Sequence, residues 1–556
     1  MKKFLVTLVA LSLYILFFSY IDDFKIFKEI SELIAKKIYL KSIIYFIGFF
    51  LSVYSLYILL NMKSKIIQVL SIVLILFSTS VTYTYGVLDN FDIFGGFRYE
   101  DALNILQLLN SFVAVETGAT YLNLFLKSLF FTILLIVILL VINHYFVLEK
   151  FNKKYLIVPF MTFIFIYILI EKTTSNRLSF SPPFKLSALL SYAKLNQLYI
   201  GEREEVYISI KDKSTVIEHI VLIVDESIRA DKLQINGFDR ETTPYLFSIK
   251  DKIFNYGISV SGAVCSNYSE SILLTGLTPK NLPDKNSYSR RKPTIFSYAQ
   301  KAKYRTNLID ILINKTNNRH FLMENDFEFI DYSVDISKKY TGEKSYVHDF
   351  KSIDELNKII NIEKKSFTYV VKYGSHFPYE DAYPQARKIF TPTLYGSSWS
   401  TDDRDKFLNS YYNVIRWTVD DFFKNLVHKL DGTNTLIIYT SDHGQNLMED
   451  LTIKQTHCAK GLAPKGMGTV PLFFLAMNDA VATEIKGIYK KDNINHTSHF
   501  NIFGTILSLM GYDKQVINKK YGKTLLDNLE DEERIYTSGD IFGRSKMFIN
   551  RFDKEK

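Results

Sequence analysis

The run Leu436-Ile437-Ile438-Tyr439-Thr440-Ser441-Asp442-His443-Gly444 decides how the rest of the chain is read. Its aliphatic, aromatic and β-branched start is what a strand buried on both faces needs. A buried strand that ends in adjacent Asp and His presents two metal ligands at the carboxyl edge of a sheet, where open α/β sheets place their chemistry. A second apolar run, Ile220-Val221-Leu222-Ile223-Val224, also ends in acids, Asp225 and Glu226. Two strand ends carrying carboxylates and an imidazole suit a hard or borderline cation such as zinc or manganese. Adjacent strand residues face opposite sides, so both acids can ligate one ion only if the strand has ended. Asp225 is either a third ligand or a hydrogen-bonded strand terminus.

Outward from these two runs, strand-like and helix-like segments alternate. Strands are expected at 219–224, 305–310, 367–373, 435–440 and 470–476, with helices at 294–302, 354–361, 404–430 and 499–511. Strands separated by helical connections imply an α/β fold, a mostly parallel sheet flanked by helices, over residues 217–556.

The chain has 556 residues and is 47% apolar, with its long apolar runs falling before residue 173. Five membrane-spanning helices are expected in an anchor over 1–172, at about 3–21, 42–61, 67–86, 121–147 and 155–171, each near the roughly 20 residues that cross hydrocarbon. With the amino terminus inside, segments 1–3, 62–66 and 148–154 carry seven Lys in 15 residues, against six Lys or Arg in 54 residues of the outer loops 22–41 and 87–120. That bias sets the orientation, and an odd number of spans puts everything after residue 172 outside the cytoplasm. Residues 173–216 read as a connector, in which 185–199 forms a helix that either lies on the membrane surface or packs on the soluble domain. The net charge of +9 is spread along the chain. No basic arm with interleaved aromatics suggests nucleic acid.

A Ser-rich segment, Ser266-Asn267-Tyr268-Ser269-Glu270-Ser271-Ile272-Leu273-Leu274-Thr275-Gly276, reads as a polar loop entering a helix. Such an entry can aim a hydroxyl at a cation while the helix terminus favours an anion, and coordination makes a hydroxyl a strong nucleophile toward phosphorus. Taken alone it reads as a Ser-rich helix cap.

The order along the chain adds to this: Asp225-Glu226, the Ser266 helix, Gly374-Ser375-His376, Asp442-His443, then His457. It resembles the alkaline phosphatase and sulfatase superfamily, and within it the membrane-bound phosphoethanolamine transferases. The similar blocks are Val224 to Asp231 with Asn236-Gly237-Phe238 and Arg240-Glu241-Thr242-Thr243-Pro244, Gly374 to Pro378, Ser441 to Gly444, and Ser498 to Phe503. The resemblance implies Glu226, Ser266, Asp442 and His443 as metal site, Ser266 as the nucleophile that becomes phosphorylated, and His376 and His457 as contacts to phosphoryl oxygens or the leaving group. Either histidine could serve as general acid. Cys265 and Ser269 remain alternatives for the nucleophile, since the family usually carries Thr at the position of Ser266. Gln445 stands where Glu is usual, Val371 where many members carry a further histidine, and Phe500 where Asp is common. Formylglycine sulfatase chemistry is disfavoured, because Cys265 lies one place before the nucleophile position and the Cys-x-Pro-x-Arg signature is lacking.

The activity implied is phosphotransfer from phosphatidylethanolamine to a glycolipid such as lipid A or the lipopolysaccharide core, at a bacterial inner membrane with a periplasmic catalytic domain. The divalent cation would be zinc, with manganese fitting nearly as well. Rival readings are a phosphoglycerol transferase using phosphatidylglycerol, like the lipoteichoic acid synthases, and a non-catalytic membrane sensor of the same fold. Of the other histidines, His320, His348, His428 and His496 are expected at the surface, and His499 as a helix cap or an outer contact of the site. Asp420-Asp421 reads as structural. Cys265 and Cys458, each beside a candidate site residue, form either a bridge or two inert thiols.

Overall fold

The computed structural model describes residues 9, 11–16, 25–35, 37–90, 126–127, 129–134, 136–141, 144–145, 150–172, 180–196, 202–211, 215–311, 322–395, 403–449, 456–459, 461–543 and 546–553. The chain divides into two units, Met1–Leu198 with Arg544–Lys546, and Tyr199–Gly543 with Met547–Lys556.

The first unit is helical: α1 (Lys25–Ala35), α2 (Tyr39–Leu60), α3 (Lys65–Asn90), α4 (Ile157–Lys172) and α5 (Pro182–Asn196). Among the described residues, two helices, Tyr39–Leu60 and Lys153–Glu171, are long and apolar enough to cross a membrane, and Lys65–Val81 and Leu129–Val141 are shorter apolar helices. The expected span at 3–21 lies largely outside the described residues. Along α3, Ile66, Val69, Leu70, Val73, Leu74 and Phe77 are exposed at helical spacing. An apolar stripe turned outward, away from the protein core, is a face made for hydrocarbon rather than water. The expected helix at 185–199 corresponds to α5, which packs within this unit. Phe184, Leu186, Ala188, Leu189, Tyr192 and Ala193 are buried with Phe49 and Val53 of α2 and Ile166 and Ile170 of α4.

The second unit is built on a seven-stranded sheet of β1 (His219–Asp225), β2 (Ile253–Val260), β3 (Arg305–Asp310), β4 (Tyr332–Asp335), β5 (Ser366–Val371), β6 (Thr435–Ser441) and β7 (Thr469–Ala476), in the order β2-β7-β6-β1-β5-β3-β4. Only β7 pairs antiparallel with its neighbours, so the sheet is mostly parallel. A hairpin of β8 (Ile535–Gly539) and β9 (Met547–Arg551) stands apart from it. In β1, Ile220, Leu222 and Val224 enter one core and Val221 and Ile223 the other; in β6, Leu436 and Ile438 oppose Ile437 and Tyr439. Burial on both faces is why these runs are continuously apolar.

The helices that cover the sheet include α6 (Ser266–Thr275), α7 (Ser345–Ile362), α8 (Arg404–Ile415), α9 (Phe422–Leu430) and α10 (Ile502–Leu509). The expected single helix at 404–430 is instead interrupted by a π-turn, Arg416–Asp421, between α8 and α9. A π-turn redirects carbonyls, and here Thr418 O accepts a hydrogen bond from the buried Lys372 ammonium.

Candidate metal centre

β1 and β6 lie side by side with Asp225 paired to Ser441, so the next residues, Glu226 and Asp442, leave the sheet together. Asp442 N–H donates to Asp225 O at 2.8 Å. Ser227 then takes a left-handed backbone, φ 63°. Its N–H donates to Asp442 Oδ1 at 3.0 Å and its hydroxyl to Glu226 Oε1 at 2.5 Å. One small residue therefore orients both carboxylates.

His443 Nδ1 lies 2.8 Å from Gly444 O. A carbonyl only accepts, so Nδ1 carries the proton and Nε2 presents its lone pair. Nε2 faces Glu226 Oε1 and Asp442 Oδ2, both at 3.4 Å, and Ser266 Oγ at 3.2 Å. Ser266, the first residue of α6, donates its hydroxyl to Glu226 Oε2 at 3.1 Å. The ligating atoms of Glu226, Asp442 and His443 lie within 4.8 Å of one another, and all three residues are buried. Burial, and then the Glu226 charge, raise the Asp442 carboxyl well above the usual carboxylate range, while burial lowers His443. Two buried acids and a lone pair turned toward them form an arrangement that a cation relieves. Two carboxylates, an imidazole and a hydroxyl fit a hard or borderline divalent ion, and the Nδ1–carbonyl bond is the outer contact such ligands use.

Asp225 does not join this group. Its carboxylate accepts from Glu226 N–H at 3.0 Å, from Tyr439 OH at 2.8 Å and from Lys372. Lys372 and Asp225 are fully buried, and Asp349 Oδ2 lies 3.9 Å from the same ammonium. Asp349, on α7, accepts from Tyr373 N–H at 2.8 Å and Gly374 N–H at 3.1 Å. Ser375 continues the stitching, donating its N–H to Glu226 O at 3.0 Å and its hydroxyl to Ser227 O at 2.8 Å. One buried ammonium thus ties the turn after β1 to the loop after β5.

That loop delivers His376, half-buried, with Nδ1 2.7 Å from Phe377 O. His457 stacks on His443 with ring centroids 4.7 Å apart and planes 18° from parallel, and lies 6.4 Å from the His376 ring. Ser269 is turned to other work: its hydroxyl donates to Asp442 O at 2.5 Å and meets His499 Nδ1 at 2.9 Å. His499 is an outer contact, bonded also to Thr440 Oγ1 at 3.1 Å, and burial pushes it down to about 3. Cys265 and Cys458 are disulfide-bonded, so neither thiol is available as a nucleophile.

Elsewhere, His428 is exposed and His496 half-exposed, whereas His348, expected at the surface, is buried on the core side of α7. His320 lies outside the described residues. Asp420 accepts from Tyr245 N–H at 3.1 Å and Leu246 N–H at 3.0 Å, and so caps the short helix Pro244–Ser248. Sequence reasoning missed Ser227, Lys372, Ser375 and Asp349 as supports. Lys372 carried a signal, a lone charge directly after the apolar run Phe367–Val371; Asp349 carried none.

The family model described as Sulfatase matches residues 218–512. Among curated proteins, a Kdo(2)-lipid A phosphoethanolamine 7''-transferase of Salmonella typhimurium is 23% identical over 352 residues, 60% of this chain and 60% of that protein. The match therefore spans about three-fifths of that relative's length. Among solved structures, the integral membrane protein lipooligosaccharide phosphoethanolamine transferase A (EptA) from Neisseria meningitidis gives a TM-score of 0.63 at 17% identity, covering 91% of this chain and 96% of that one. The C-terminal periplasmic domain of EcEptC from Escherichia coli, in complex with Zn, gives 0.52 at 17% identity, covering 63% and 97%.

Proposed function

Because this chain belongs to the sulfatase family, we propose that it is a membrane-anchored phosphotransferase of that family. It moves phosphoethanolamine from phosphatidylethanolamine to a cell-envelope glycolipid, lipid A or the lipopolysaccharide core. The observation that carries this reading is the Ser266 hydroxyl, at the amino terminus of α6, 3.1 Å from Glu226 Oε2 and 3.2 Å from His443 Nε2. Phosphoryl transfer asks mainly for a placed nucleophile and neutralised charge. Proteins similar to this chain in sequence and in fold bear phosphoethanolamine transferase names, which supports the substrate class.

Glu226, Ser266, Asp442 and His443 would hold a divalent cation; the donor set accepts zinc or manganese, and the zinc complex of the EcEptC domain favours zinc. When bound, the cation lowers the pKa of a nearby hydroxyl and offsets charge on phosphoryl oxygens. Ser266 Oγ attacks phosphorus as the bond to the diacylglycerol oxygen breaks, and its proton passes toward Glu226. His376 and His457 hold phosphoryl oxygens, and one of them hands a proton to the departing oxygen. A glycolipid hydroxyl then attacks the phosphorylated serine and restores it. The α6 amino terminus adds its own partial positive charge.

Residues 1–172 are a five-span anchor in a bacterial inner membrane, 173–216 a connector, and 217–556 the catalytic domain on the periplasmic side. The anchor gives a lipid donor a high effective concentration at the site. The test is donor labelling with the full-length protein in vesicles. Ethanolamine-labelled phosphatidylethanolamine should mark the glycolipid, and Ser266→Ala should abolish both that product and phosphoenzyme. Glycerol label from phosphatidylglycerol on the product, with none from ethanolamine, would reject the donor; no transfer of either would favour a sensor.

A further inference from the structure

Cys265 immediately precedes Ser266, and Cys458 immediately follows His457. The two cysteines are bonded across 193 residues of sequence, with Cα atoms 4.7 Å apart. We propose that this disulfide is a positioning element of the active site, holding the His457 ring over His443 at a fixed offset from the Ser266 hydroxyl. The inference rests on the roles given to Ser266 and His457 above.

The reasoning is geometric. Consecutive Cα atoms are about 3.8 Å apart, so a bond at 265–458 fixes the residue on either side to within one step of chain. On the α6 side the fixed point is rigid: Cys265 is extended and directly caps a helix whose residues Tyr268–Thr275 are buried. On the other side, Thr456–Ala459 belongs to no helix or strand. Among the described residues, the His457 ring bonds to Thr456 Oγ1 at 3.0 Å, its own neighbour, which moves with it. Backbone bonds reach this segment from Cys458 N–H to Val264 O at 2.7 Å, from Asn446 N–H to Thr456 O at 2.6 Å and from Gly539 N–H to Ala459 O at 3.0 Å. Each such bond favours the closed arrangement by about fivefold, and the three together by about 10²-fold, a preference that every bond can still lose by opening. The covalent link turns that preference into a single geometry, and it runs through the residue beside the nucleophile.

The test is a double-mutant cycle on the full-length protein in vesicles, reading kcat and KM for ethanolamine transfer. Cys265→Ala with Cys458→Ala should lower kcat by about 10²-fold, the low end for a general acid–base group, with KM within about twofold. His457→Ala should lower kcat similarly. The triple variant should be no worse than His457→Ala within about twofold, because both changes remove the same interaction. A bridge-free enzyme with wild-type kcat, or a loss that multiplies with that of His457→Ala, overturns the proposal. Wild-type kcat in His457→Ala would instead sink the role of His457 and this inference with it. An impaired His457→Ala beside an unimpaired bridge variant sinks this inference alone. Should the cysteine pair be needed for folding, the bridge is opened in the folded wild type with a trialkylphosphine. The disulfide takes two electrons and two protons to give two thiols, and the phosphine takes its oxygen from water. The same fall in kcat, reversed on reoxidation, supports the proposal; unchanged kcat with both thiols titratable overturns it.

Discussion

Gly374→Ala should disable the site from a residue that is not itself a metal ligand. Gly374 has φ +54°, and a Cβ there would stand 2.2 Å from Asp225 Oδ1 and 2.7 Å from both Glu226 N and Glu226 O. Ordinary contact begins at 3.4 Å, so the backbone that carries Glu226 must retreat by about 0.7 Å. Left-handed backbone costs a non-glycine residue about 1–2 kcal/mol. Displacing the turn should take the total to about 2–4 kcal/mol, within the range of strained or overpacked sites. A misplacement near 1 Å can cost about 10²-fold in rate, so activity should fall by about 10- to 100-fold and zinc affinity with it. Gly432→Ala supplies the control: its φ is +84° and nothing lies within 4 Å of the added Cβ. It should show the backbone cost alone, about 1–2 kcal/mol, with normal zinc content and turnover. The measurements are thermal denaturation, bound zinc per chain and ethanolamine transfer. If Gly374→Ala matches Gly432→Ala in zinc and turnover, the stitching of the 373–376 loop to Glu226 does not set the site.

Lys372→Met leaves Asp225 and Asp349 buried without their cation, and denaturation should show a loss of about 3–5 kcal/mol; a loss under about 1 kcal/mol would contradict the buried-hub role. Zinc added to metal-free protein at about 100 times its dissociation constant should stabilise the fold by about 2.7 kcal/mol. Ser266→Ala should keep most of that thermal shift, and Asp442→Asn should abolish it; a full shift in Asp442→Asn places the ion elsewhere. Glu355 tests electrostatics far from the chemistry. Partial burial would raise its carboxyl, but bonds from Lys339, Lys358, Tyr340 and Tyr332 outweigh this and bring it down to about 2 from 4.5. A depressed carboxylate stabilises above its unfolded pKa, and that stability is lost as pH falls through the folded one. Because Lys339 and Lys358 are themselves exposed, the expected effect is only about 1–2 kcal/mol. Glu355→Gln should therefore melt below wild type at pH 7 and pH 5, and the gap should narrow as pH drops from 4.5 toward 2. A gap independent of pH would exclude a charge effect.

Much of the fold could be read from the sequence, because burial on both faces writes itself as uninterrupted apolar runs. The runs expected at 219–224, 305–310, 435–440 and 470–476 correspond to β1, β3, β6 and β7 with little change at their ends. β2 was not legible: Asn255 and Gly257 break its pattern where the pairing with β7 is irregular. β4, four residues at the sheet edge with polar Ser333 and Asp335, lacks an apolar run altogether. The helix at 404–430 reads as continuous because a π-turn has no composition of its own. Within it, Thr418 O accepts from Lys372, the residue after β5, a tertiary contact that local sequence cannot contain.

The candidate site was legible for a related reason, and only up to a point. Sequence shows that two strands end in acids; it does not show that they are neighbours, and everything at the centre depends on that. β1 precedes β6 by more than 200 residues, yet they pair in parallel with Asp225 opposite Ser441. A parallel register fixes which residues leave the sheet at the same height. Slipping β6 by one residue would put Ser441, not Asp442, beside Glu226, and by pleat alternation turn its side chain to the wrong face. The same register explains why adjacent acids take different tasks. Asp225 is still within the strand, so its side chain points into the core toward Tyr439 and Lys372. Glu226 is the first residue past the strand and is free to turn outward once Ser227 takes its left-handed backbone. Ser227 Oγ and N–H then hold one oxygen of each carboxylate. Replacing Ser227 by Val should therefore weaken zinc binding by about 10- to 100-fold, as loss of an outer contact does. A β-branched residue disfavours φ above zero and has no hydroxyl to donate. Ser227→Asn, which tolerates that backbone and can donate, should recover part of the loss; equal zinc affinity in both variants would mean that the turn, as described, does not orient the ligands.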